Sequence, residues 1–145
     1  MTRGDDDSHL IVMGHAPDHI LNRHDIFYTG NIKHELCLQI YSAADAMIHM
    51  AWLDHCPNVV VEAISQDCPV ICTSSGGTSE ILRSGGYVVK EIQKYNYELL
   101  DYDNPYDLNL DCLKGLDISK IEVDKSRIDL LLSLIHISEP TRPRL

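Results

Sequence analysis

The residues most able to do chemistry lie between positions 54 and 81, DHCPNVVVEAISQDCPVICTSSGGTSEI. Asp54 and Glu62 are separated by seven residues, across a loop and the start of a helix. A strand, Pro69–Thr73, follows, and then a second turn carrying Gly76, Gly77 and Glu80. This order reads as two consecutive strand–loop–helix units. In a parallel sheet both loops open on one edge, where open α/β folds bind ligands. The amides of Asn58, Val59 and Val60 fall in the first helical turn, where they lack intrahelical partners. With the helix dipole they form an anion site. Glu62, about a turn further in, lies too deep to cap the helix. Its carboxylate can accept two hydrogen bonds from adjacent hydroxyls of a ribose, while Asp54 addresses a second polyol. The arrangement suits a ligand that is part sugar and part phosphate. An isolated D-x7-E pair would read as a turn cap and a solvated helix residue, so its surroundings decide.

Five short apolar runs supply the strands: residues 9–14 (HLIVMG), 26–30 (IFYTG), 46–52 (AMIHMAW), 69–73 (PVICT) and 86–89 (GYVV). They lack clean alternation, the pattern of parallel strands buried on both faces, and 46–52 is expected at the centre of the sheet. Helices fit between them. Residues 32–44 place Leu36, Ile40, Ala43 and Ala44 on one face. Residues 57–66 group Val60, Ala63 and Ile64, with Pro57 at the favoured first position. Residues 78–83 open on Thr78, which can cap, and end near Gly85. Strand–helix alternation predicts an α/β fold, a Rossmann-like doubly wound parallel sheet with helices on both faces. From Glu91 the chain turns acidic, Tyr- and Asn-rich and weakly periodic. An extended loop wrapping the sheet is expected there, then one helix from about Ser126.

These motifs in this order resemble the donor-binding, C-terminal half of GT-B-type retaining glycosyltransferases of the "group 1" family. The resemblance rests on Phe27-Tyr28-Thr29-Gly30, Glu35-Leu36, Tyr41-Ser42-Ala43-Ala44-Asp45, Asp54, Glu62-Ala63, Pro69-Val70-Ile71 and Gly76-Gly77-Thr78-Ser79-Glu80, and covers about residues 9–90. It implies transfer of a sugar from a nucleotide sugar with retention of configuration. Glu62 would hold the ribose hydroxyls, and Asp54 would stand at the catalytic acidic position near the transferred sugar. The helix start at Asn58 and Val59 would meet the sugar and the diphosphate. Gly30 and Asn31 would approach the base through main chain, His55 would contact the donor from its loop, and Glu80 would border the site. Gly76 and Gly77 would let the backbone pass close to the ligand. The nucleotide sugar is then a substrate, with no cofactor and no metal required. Two positions depart from the family pattern. Asp54 stands where Glu is commoner, one methylene shorter, and Asp67 stands where Gly usually forms a left-handed helix cap.

The resemblance also divides the chain. Residues 1–8 are a polar lead-in, and 9–131 a donor-binding domain truncated at both ends. Residues 132–145 are set apart because 132–142, LSLIHISEPTR, resemble the translated read-through of a sequencing adapter. The basic residues that clamp the diphosphate in the family would lie upstream, where the chain offers Arg3. A missing N-terminal acceptor-binding domain is implied, and the isolated chain is expected to be inactive. Peripheral membrane association would belong to the full-length enzyme.

Composition narrows the classes further. The formal charge of −10 supplies no basic stripe for nucleic acid. Five cysteines, an odd number, and no secretory apolar region point to reduced thiols and the cytoplasm. Cys68 and Cys72 lack zinc spacing and read as core thiols. His49 reads as a packed core histidine, and His15, His19 and His24 as surface residues of the first crossover. Asp101-Tyr102-Asp103 matches a metal-binding D-x-D but sits in a solvated loop pattern. Two other classes stay open. One is another sugar-nucleotide enzyme of epimerase type, which a histidine acid/base set near the donor loop would favour. The other is a non-catalytic α/β binding module of flavodoxin or receiver type.

Overall fold

The structure, a computed structural model, describes residues 8–15, 20–51, 54–90, 110–126, 128 and 131–132. Every expected strand within them forms. In chain order these are β1 (Leu10–Met13), β2 (Ile26–Gly30), helix α1 (His34–Ala43), β3 (Met47–His49), α2 (Asn58–Ser65), β4 (Val70–Thr73), α3 (Thr78–Leu82) and β5 (Tyr87–Val89). All pairings are parallel, and from β2 onward strands alternate with helices, as in an α/β domain of Rossmann-like type. The chain divides into two compact units, residues 1–40 and 41–145. The pairings follow that division as two parallel ladders, β1–β2 and β3–β4–β5.

In the first unit β1 lies beside β2 with Leu10 opposite Ile26, and the register shifts between Val12 and Met13. Both strands close on glycines of positive φ, Gly14 at 97° and Gly30 at 62°. The Gly14 amide donates to the Gly30 carbonyl at 3.1 Å.

In the second unit the centre of the ladder is β4, not the strand at 46–52. All four residues of β4 are buried, because they meet a neighbour strand on each edge and side chains on each face. β3 is shorter than expected, and among the described residues it pairs with β4 alone. Ile48, in the middle of β3, is 54% exposed, which a central buried strand would not allow. α2 buries Val60, Val61, Ala63 and Ile64, as the predicted apolar face required. Pro57 precedes the helix as its N-cap, with φ −70° and ψ 111°, instead of occupying the first helical position.

The end of α2 is a Schellman turn. The Cys68 amide donates to the Ala63 carbonyl at 3.0 Å and the Asp67 amide to the Ile64 carbonyl at 3.1 Å. That motif needs a left-handed residue, and Asp67 supplies it with φ 60°. Asp67 thus forms the left-handed helix cap for which glycine is usual. Its carboxylate also meets Lys125 Nζ at 2.6 Å, but the pair is exposed and contributes at most about 1 kcal/mol. Relief of the left-handed strain outweighs that loss, so Asp67→Gly should stabilise the domain by up to about 1 kcal/mol in a urea melt.

Residues 121–126 run past the end of α3. The Gly86 amide donates to the Glu122 carbonyl at 2.8 Å. A Cβ on Gly85 would sit 2.5 Å from the Asp124 nitrogen, so the close approach depends on that glycine. Ser84 Oγ and the Ser126 amide donate to the Asp124 carboxylate at 2.7 and 2.9 Å. These bonds hold its pKa well below the ordinary carboxylate range. Beyond it Ile128, Leu131 and Leu132 have helical backbone, as expected from Ser126 onward. Of the expected wrapping loop, residues 91–109, including Asp101-Tyr102-Asp103, lie outside the described residues, as do His19, Trp52, Arg3 and residues 133–145. The described part before Ser126 is not wholly irregular and forms short 3-10 turns at Leu110–Leu113 and Ile118–Lys120.

Candidate functional site

Two loops leave the carboxyl ends of neighbouring parallel strands, one after β3 and one after β4, and they meet. The Gly77 amide donates to the Asp54 carbonyl at 2.8 Å. A Cβ on Gly77 would lie 1.8 Å from the His55 carbonyl oxygen. One on Gly76, which has φ 76°, would lie 2.5 Å from the Asp54 oxygen. No side chain fits at either position, so the glycine pair permits backbone-on-backbone contact with the loop of the first acidic residue. The close approach expected of Gly76 and Gly77 toward a ligand is here an approach toward the Asp54–His55 backbone.

A second tie secures the same loop. Thr73, the last residue of β4, is fully buried, and its hydroxyl donates to the Ala51 carbonyl at 2.7 Å. Sequence reading passed over Thr73 as a strand terminator. The available signal was a hydroxyl residue ending an otherwise apolar buried strand, where an unpaired hydroxyl would be costly. Thr73→Val keeps the shape but leaves the Ala51 carbonyl without this donor. It should cost about 1–2 kcal/mol in denaturant unfolding and speed hydrogen exchange in the 54–56 segment.

After the loop the chain enters α2. The Val60 and Val61 amides both donate to the Pro57 carbonyl, at 3.0 and 3.3 Å. Val60 is therefore not one of the open amides, contrary to expectation. Pro57, as the N-cap, offers its carbonyl one residue before the helix begins, and Val60 closes the first turn on it. Asn58 and Val59 remain at the helix start, outside that ladder, and both are exposed. Glu62 lies on the same face, four positions after Asn58 and three after Val59. It is half-buried, flanked by buried Val61 and Ala63.

The other expected residues are placed as follows. His55 is exposed and contributes its carbonyl to the packing against Gly77. Glu80 is exposed in the first turn of α3. Gly77, not Thr78, is the N-cap residue of that helix. Thr78 is fully buried instead, so it packs inward and does not cap. Gly30 and Asn31 belong to the other unit, at the carboxyl end of β2. Cys68 and Cys72 are core residues as expected, and burial pushes the Cys68 thiol pKa up. Among the described residues no cluster of three or more His, Cys, Asp or Glu is arranged to hold a metal ion. Nor is any described helix long and apolar enough to cross a membrane.

His49 is the residue whose setting differs most from its sequence reading. It ends β3, its side chain is 14% exposed, and Nε2 stands 3.5 Å from Asp54 Oδ2. It borders the acidic loop and is not an isolated core histidine.

Parallel strands whose carboxyl-end loops bring the backbone of an acidic residue against a glycine turn, beside an open helix start, define an α/β domain with a candidate ligand site at the carboxyl edge of its sheet. Residues 12–98 match the family described as Glycosyl transferases group 1, and the chain belongs to that family. No curated protein matches the chain.

Proposed function

We propose that this chain carries the nucleotide-sugar donor site of a retaining, GT-B-type glycosyltransferase of the hexosyl-transferring kind. The observation that carries the reading is the Gly77–Asp54 bond at 2.8 Å, which sets the acidic loop and the glycine turn together at the carboxyl ends of β3 and β4. Asp54 stands nearest the transferred sugar and stabilises positive charge developing on it. The amides of Asn58 and Val59 and the dipole of α2 face the diphosphate, whose leaving-group charge they stabilise. Glu62 accepts the ribose hydroxyls from the same helix face. His55 and Glu80 border the donor. The nucleotide sugar enters as substrate, and the site needs no cofactor or metal.

On this reading the acceptor is recognised by a second domain, which also completes a closed, water-poor cleft. The chain itself binds the donor weakly and transfers no sugar, a cytoplasmic donor module that reaches membranes only through the rest of the enzyme. Calorimetry of the chain with UDP, GDP, UDP-glucose, GDP-mannose and free glucose tests this. Binding of at least one nucleotide and none of glucose is the expected result. Failure of all four nucleotides to bind at millimolar concentration would overturn it.

A further inference from the structure

Two hydrogen bonds to main-chain carbonyls clamp the Asp54 loop, from the Thr73 hydroxyl to Ala51 and from the Gly77 amide to Asp54. Neither fixes the Asp54 side chain. Two torsions still decide where its carboxylate points, and a catalytic group must be held within a fraction of an ångström. The group able to set it is His49. Its Nε2 is shielded from solvent and has no partner within hydrogen-bonding geometry. A buried ring nitrogen in that state is costly, and Asp54 Oδ2 stands 3.5 Å away. A shift of a few tenths of an ångström closes a hydrogen bond. The chemistry also selects the tautomer. A bare Nε2 lone pair would face the carboxylate with like polarity, whereas Nε2–H faces it as a donor.

We infer that His49 is a positioning residue, donating Nε2–H to Asp54 Oδ2 so that Oδ1 is presented to a hydroxyl of the donor sugar. The inference rests on the donor-site reading of Asp54 given above. It also accounts for the use of Asp at this position. A carboxylate one methylene shorter has fewer torsions to fix, and one buried donor suffices to fix them.

Two measurements on the full chain test it. The first is the ¹⁵N spectrum of the His49 imidazole at about pH 8, where an ordinary histidine is neutral. The Nε2-protonated tautomer is expected, with its signals moved by Asp54→Ala. The Nδ1-protonated form, or signals indifferent to Asp54→Ala, overturns the pairing whatever the chain binds. The second is calorimetry with UDP and UDP-glucose, and with GDP and GDP-mannose. His49→Leu and Asp54→Ala should each remove the sugar's added affinity, roughly tenfold, and leave the nucleoside diphosphate unchanged. The double variant should lose no more than either single one. His49→Gln, whose amide can replace Nε2–H, should restore most of it. An equal loss of nucleoside diphosphate and nucleotide sugar in His49→Leu indicates a structural role and overturns positioning, as does a sugar increment that survives. A paired His49–Asp54 in a chain that binds none of the four nucleotides overturns the donor-site reading, and the positioning role with it.

Discussion

Gly77→Ala should destabilise the domain by at least about 3 kcal/mol. The added Cβ would lie 1.8 Å from the His55 carbonyl oxygen and 2.8 Å from its carbon, contacts that only backbone movement can relieve. The obstacle is main chain, so no rotamer change makes room. Moving the loop breaks the Gly77–Asp54 bond and shifts Asp54 off the carboxyl edge of β3. A urea melt should therefore show a lowered midpoint. If the variant folds, hydrogen exchange at 54–56 should rise and donor affinity fall together. A midpoint within about 0.5 kcal/mol of the parent would mean that the loops do not touch as described.

Glu62→Ala should weaken binding of a nucleotide donor by about 100-fold or more. The carboxylate accepts two ribose hydroxyls in the proposed role, and hydrogen bonds to a charged acceptor contribute about 1.5–3 kcal/mol each. Folding should survive, because Glu62 is half-buried, its buried neighbours Val61 and Ala63 are untouched, and alanine suits a helix interior. Glu80→Ala, on the exposed first turn of α3, should weaken binding less. Calorimetry on both variants, with a thermal melt as control, separates the two. Unchanged nucleotide affinity in Glu62→Ala would remove the ribose role.

Much of this was legible without coordinates because it is local. Apolar runs too short for helices form parallel strands as expected. Burial on both faces holds for β4 alone, whose four residues are all buried, while Leu10, Ile11, Phe27 and Ile48 of the other strands are about half exposed. The apolar stripe of α2 follows from a period of 3.6 residues. Asp67 was readable as a left-handed cap because the Schellman turn closes within six residues of chain. The family follows from the same local signals, since Asp54, Glu62, Pro69-Val70-Ile71 and Gly76-Gly77 keep their order and spacing along residues 12–98.

What only the tertiary structure decided are contacts between distant segments. Strand order is one: Ala46–Trp52 and Pro69–Thr73 look alike in composition, and only pairing on both edges makes β4 central. The reason Gly77 must be glycine is another, because the obstructing carbonyl belongs to His55 in a different loop. The Thr73–Ala51 bond joins residues 22 positions apart. The approach of the His49 ring to the Asp54 carboxylate, at 3.5 Å, is a further contact that sequence could not show. Periodicity records which face of an element is apolar. It carries no information about which backbone or side chain arrives opposite that face, because that depends on how the loops between elements close in space.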